Sequence, residues 1–175
     1  MPKISCKAKL YTINSWTLVR LTKEISAQLP SKGMVMDEGS INSVPFQAAL
    51  EPDGKKSHWF RVDKSILDTI RSSGGDTVEL TIEPVKDWPE PDVPDDLKTA
   101  LASSPKVNIL WEDLTPMARW DWIRWIRSTK NLDTRKKRIV VAFSKLQAGE
   151  RRPCCFNRTL CTEPLVSHNG VLLDA

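Results

Sequence analysis

A chain of 175 residues with 40% hydrophobic and 27% charged content can bury a sizeable core as one or two globular domains. No apolar run approaches the ~20 residues of a membrane-spanning helix, and four cysteines at this length do not amount to a disulfide framework, so a reducing, cytoplasmic setting is expected. The formal net charge of +4 permits anionic partners without requiring them.

The opening residues, MPKISCKAKLYTINSW, contain lysines but no apolar core of a leader, so no signal peptide is expected. Residues 1 to 86 read as β-rich. Strand patterns cover 6–13, 16–21, 34–41, 44–50, 57–62 and 77–82. Asn42-Ser43 is a tight-turn candidate, and TVELTI (77–82) alternates cleanly after Gly74-Gly75-Asp76. The adjacent acids Asp37 and Glu38 read as turn residues, and His58 as structural or exposed rather than a catalytic base.

A repeat runs through this region. Arg20-Leu21-Thr22-Lys23-Glu24-Ile25 aligns with Arg61-Val62-Asp63-Lys64-Ser65-Ile66 at an offset of 41, and Ala8-Lys9-Leu10 with Ala48-Ala49-Leu50 at 40. Each copy reads strand, strand, short helix (25–29; 66–70), strand. Two such units in tandem predict a barrel made of related halves, of the double-split kind.

EPVKDWPEPDV (83–93) ends in a Pro-rich acidic linker at 87–93, the expected domain boundary. A helical module of three to four helices is predicted over 94–150. Val93-Pro94-Asp95-Asp96 opens the first helix, to about Ala102; 105–111 reads as a second. Thr115-Pro116 is an N-cap followed by proline at the first helical position, and Ala118, Trp122, Trp125 and Ile126 form one buried stripe. The last helix restarts near Asn131-Leu132-Asp133-Thr134, with Asp133 or Thr134 as N-cap. It buries Ile139, Ala142, Phe143 and Leu146 and stops at Gly149. Residues 151–175 have no clear period and read as an irregular arm, either partly ordered by Phe156, Leu160 and the Val171-Leu172-Leu173 patch packing onto the body or else mobile.

Charge is unevenly distributed. Residues 117–152 hold eleven basic and three acidic side chains, +8, whereas 87–116 hold seven acids and two lysines, −5. The candidate contacts for an anionic partner are Arg119, Trp120, Arg124, Arg127, Arg135, Lys136, Lys137 and Arg138. Trp120 lies among arginines, where an indole can stack on a base or an anionic ligand. Against this stands the ordinary reading: Trp120 packs on the body, the charges are a soluble face, and Arg119 and Arg135 are held in ion pairs by Glu112, Asp113 or Asp121. A deep cleft holding Arg119 or Arg135 would point instead to a small anionic ligand.

Cys154, Cys155 and Cys161 are the candidate reactive thiols, since Arg151 and Arg152 would favour a thiolate. Their C-C-x5-C spacing is not that of a structural zinc site, and no metal is assigned, although His168 would be available as a fourth ligand. There is no G-x-S-x-G, no phosphate-cradling glycine loop and no H-E-x-x-H, and no cofactor is expected.

Several stretches together carry a resemblance: Gly39-Ser40-Ile41-Asn42 with Pro45-Phe46, Gly75-Asp76-x-Val78, Val93-Pro94-Asp95-Asp96-Leu97, and Trp125-Ile126 with Thr134-Arg135 and Arg138-Ile139. Over roughly residues 4 to 150 the chain resembles a bacterial family that pairs an uncharacterised barrel domain with the YdeI/OmpD-associated, or bacteriocin-protection, module. The barrel itself looks like the AbrB and MazE type. The resemblance implies an α+β fold and a link to antimicrobial-peptide resistance and an outer-membrane porin. It implies no catalytic residue.

The functional expectation is therefore a non-catalytic binding protein engaging an anionic partner, nucleic acid among the options. The alternatives are an envelope-stress interaction protein that binds another protein, and a redox protein using the C-terminal thiols. Oligomeric state is not legible from the sequence.

Overall fold

The computed structural model describes residues 3–154 and 156–174. The chain divides into two compact units. One comprises Met1–Asp87 with Arg158–Cys161 and Leu165–Ala175; the other comprises Trp88–Asn157 with Thr162–Pro164.

The first unit is built on a closed antiparallel barrel of six strands: β1 (Ile4–Ile13), β2 (Trp16–Arg20), β3 (Val35–Ile41), β4 (Val44–Pro52), β5 (His58–Arg61) and β6 (Thr77–Ile82). Helix α1 (Lys23–Ser26) precedes β3, and α2 (Lys64–Ile70) precedes β6. The strands pair in the order β1-β2-β5-β4-β3-β6. Exchanging β1 with β4, β2 with β5 and β3 with β6 leaves that order unchanged, so the sequence repeat is a two-fold axis of the fold. The axis passes where Val19 faces Phe60 and where Ser40 faces Thr81, each pair being 41 residues apart. The backbone bonds Leu21 N to His58 O and Val62 N to Thr17 O are exchanged by the same operation. The offset is 40 for β4 because the loop entering β5 is one residue longer than the Asn14-Ser15 turn it replaces.

Local chemistry explains the closure. Asn14-Ser15 and Asn42-Ser43 both have positive φ at the two central positions (47° and 70°; 45° and 67°), the geometry of two-residue type I′ hairpins. Where β3 crosses β6 a side chain at Gly39 would meet the Thr81 carbonyl oxygen at 1.9 Å, so only glycine permits that approach. Inward residues Leu10, Val19, Ile41, Leu50, Phe60, Val78, Leu80 and Ile82 fill the barrel. His58 is also buried; its Nε2 donates to the Gly33 carbonyl at 2.8 Å, and burial pushes its pKa below the ordinary histidine value.

Asp37 is not a turn residue. It lies on β3, fully buried, with Oδ1 accepting from the Glu83 amide at 2.6 Å. The strand continues through it because its main chain pairs with Ala48 and bridges Pro84.

The C-terminal segment is more regular than expected. Ser167–His168 (β7) and Val171–Leu172 (β8) form a small hairpin around Asn169-Gly170. Leu172 and Val166 bury against Ile13, Leu18 and Trp59, Leu172 N donates to Asp53 O, and Arg20 pairs with both Asp53 and Asp174.

The second unit holds α3 (Asp95–Ala102), α4 (Pro105–Glu112), α5 (Pro116–Arg127) and α6 (Leu132–Gln147) around one core that includes Leu97, Leu101, Val107, Trp111, Ala118, Trp122, Ile126, Ile139, Ala142 and Leu146. Thr115 caps α5, its hydroxyl accepting from Ala118 N. Trp122 is fully buried, and Trp125 is half-buried edge-on against it.

The cap of α6 is Asn131, not Asp133 or Thr134: the Asn131 carboxamide accepts from Thr134 N at 3.0 Å. Asp133 then sits in the first turn, where the helix dipole favours an acid. Replacing Asn131 by alanine should cost about 1 kcal/mol, read as a shift in the urea midpoint. The helix ends in a Schellman motif, with Glu150 N on Lys145 O, Gly149 N on Leu146 O, and Gly149 at φ 91°.

Candidate partner-binding surface of the helical unit

Most of the candidate cations have partners within the unit. Arg119 is almost wholly buried. Its Nε donates to Glu90 at 2.9 Å and Nη2 to the other carboxylate oxygen. Nη1 reaches the carbonyls of Trp111 and Glu112 at 3.1 Å, and that of Leu114. The guanidinium therefore closes the C-terminal end of α4 and ties the Pro-rich segment to α5. Trp120 is half-buried; its indole N–H donates to Pro89 O at 3.0 Å and its ring meets Trp88 edge-on.

Arg124 was expected on a solvated face and is instead 1% exposed, over the Phe156 ring. An arginine's aliphatic stem packs on apolar neighbours, and here the guanidinium lies 5.3 Å from the Phe156 ring centroid. Arg127 pairs with Glu163 at 2.9 Å and touches the Thr162 hydroxyl. Arg135 grips Asp96 with two nitrogens, which holds the Asp96 carboxyl below its usual pKa. Arg138 donates to Trp125 O and Ser128 Oγ and lies over the Trp125 ring. Arg151 pairs with Asp113, Arg152 with Asp121, and Lys145 with Glu150. The neighbouring acidic stretch thus pairs with three of these arginines, through Glu90, Asp96 and Asp113.

Among the described residues, Lys130, Lys136 and Lys137 keep exposed ammonium groups outside any of these pairs. Lys136 and Lys137 share the outer face of α6 with Leu132 (72% exposed), Val140 (68%) and Val141. These apolar residues escaped the sequence reading. The signal was present, because burying Ile139, Ala142 and Leu146 turns 136, 137, 140 and 141 outward.

Cys154 is exposed in the helical unit, and Cys161 is buried in the barrel unit beside Trp59. Cys155 lies outside the described residues. Among the described residues no set of three His, Cys, Asp or Glu side chains is placed to hold a metal ion, and no helix is long and apolar enough to cross a membrane.

A cleft of about 720 Å³ opens in the helical unit between the Pro-rich segment, α3 and α4; Arg119 and Glu90 lie in its wall.

Residues 7–82 match the family described as Domain of unknown function (DUF1905), and residues 90–149 match the one described as Bacteriocin-protection, YdeI or OmpD-Associated (OmdA). No curated protein matches the chain. The two matches fall in succession, the DUF1905 model on the barrel and the OmdA model on the four-helix region.

Proposed function

We propose that this chain is a non-catalytic binding protein whose α6 outer face docks on an acidic, partly apolar surface of another protein. The family description, bacteriocin protection, is compatible with an interaction role of this kind. The observation that carries the reading is the composition of that face: Lys136 and Lys137 stand beside exposed Leu132, Val140 and Val141. Exposed aliphatic groups gain by burial against protein, at roughly 25 cal/mol per Å². A phosphate backbone offers them nothing.

Nucleic acid is the weaker form of the anionic-partner reading. If Lys130, Lys136 and Lys137 were the phosphate contacts, counterion release would give a salt slope of about −3, from about −0.9 per contact. Titration of a Glu/Leu peptide and of a DNA duplex at 50 and 200 mM salt separates the two. The peptide should bind, weakening about tenfold in K136E/K137E and again in V140S/V141S. Unchanged peptide affinity in both variants would remove the α6 face from the proposal. Duplex binding with a slope steeper than about −5 would restore the nucleic-acid reading.

A further inference from the structure

The cleft of the helical unit has a chemistry opposite to that of the α6 face. We infer that it is a second binding site, for a cationic peptide segment in which Lys or Arg adjoins an aliphatic residue. The inference is independent of the α6 reading, because it uses other residues and the other sign of charge.

The cleft's volume, about 720 Å³, is in the range that encloses a ligand or several side chains. Its apolar lining includes Val93, Leu101 and Trp111. The charged lining is Glu90, Asp92, Glu112, Lys98 and Arg119, three acids against two cations, or −1. Glu90 and Arg119 consume one another in their two-nitrogen contact. What remains to meet a ligand is Asp92 and Glu112 against Lys98, all three exposed.

Backbone polarity adds to this. Helix α3 ends at Ala102 and α4 at Glu112, and both final residues line the cleft. A helix C-terminus presents carbonyl oxygens and an effective negative partial charge. The protein already answers that field with a guanidinium: Arg119 occupies the carbonyls of Trp111, Glu112 and Leu114. A small anion placed here would meet carboxylates and carbonyls, with the arginine's donors already used. A cation on an aliphatic stem meets acids at the rim and apolar side chains below. A bare metal ion would leave the apolar lining unused.

The test uses the whole chain and a synthetic Lys/Leu peptide, followed by fluorescence anisotropy, with the matched Glu/Leu peptide for comparison. The Lys/Leu peptide should bind with affinity that falls at least tenfold in D92K/E112K. Lys98→Glu should tighten it about threefold, a gain that loss of folding cannot imitate. Failure of the Lys/Leu peptide to bind would overturn the site. So would binding that ignores D92K/E112K, or that K98E leaves unchanged. If instead it is the Glu/Leu peptide that binds and K98E weakens it, the cleft takes anions and the assignment of sign is wrong.

Discussion

Arg119→Leu should destabilise the protein by about 3 kcal/mol, while Glu90→Gln should cost less than about 1 kcal/mol. The two residues form one ion pair, yet their environments differ. The Glu90 carboxylate is 64% exposed and the Arg119 side chain 9%. An exposed carboxylate that loses its partner is solvated at once, so its contribution is that of a surface pair. Arg119 also satisfies three backbone carbonyls at the end of α4, with the Trp111 and Leu114 contacts buried. Leucine fills the space of the stem and withdraws the guanidinium from all three oxygens; Trp111 O keeps the Leu114 amide at 3.1 Å, and a buried carbonyl left without its donor costs about 1–3 kcal/mol. Urea denaturation of the two variants decides the matter. Equal, small losses would mean that the guanidinium is only a salt bridge and that water replaces it on the carbonyls.

The Asp37 contribution to folding stability should be lost as pH rises from about 4 to about 7, and Asp37→Asn should remove that pH dependence. Burial pushes the Asp37 carboxyl up to about 7; the nearby charges of Glu83 and Glu38 add to the rise, and the hydrogen bond from Glu83 N opposes it. Its Oδ2 has no hydrogen-bond partner among the described residues. A group whose folded pKa lies above its unfolded value binds its proton more tightly in the native state. Its contribution is complete below the unfolded pKa near 3.9 and lost as pH climbs through the folded one. Three units at 1.36 kcal/mol each give about 4 kcal/mol as the full range.

His58 works in the opposite sense. Its lowered pKa favours the native state above the ordinary histidine value and costs stability as pH drops. The comparison of D37N with the parent protein isolates the aspartate. Asparagine keeps an acceptor for Glu83 N but buries an amide nitrogen, so the gain at pH 8.5 should be about 1–3 kcal/mol rather than the whole range. Urea midpoints at pH 5 and pH 8.5 that differ equally in both proteins would show that Asp37 is solvated or paired in solution.

Pattern and placement divide unevenly across the chain. Period-2 alternation in TVELTI, the Asn42-Ser43 turn and the 41-residue repeat were enough to predict the strands and the doubled barrel, because those signals are local and the two-fold symmetry is written in the residues themselves. The helices announced themselves through Thr115-Pro116, the Trp122 stripe and Gly149. Asn169-Gly170 was an equally strong hairpin signal, passed over because its strands are two residues each.

What the sequence by itself determined, then, is the order and kind of elements, since backbone preference and apolar period act over a few residues. Only the tertiary structure decided which charges are spent. Arg119 finds Glu90 from 29 positions away and Arg135 finds Asp96 from 39, while Asp37 is enclosed by strands that pair across the barrel. Coulomb energy and desolvation depend on distance in space and on the surrounding dielectric, neither of which a one-dimensional charge count contains.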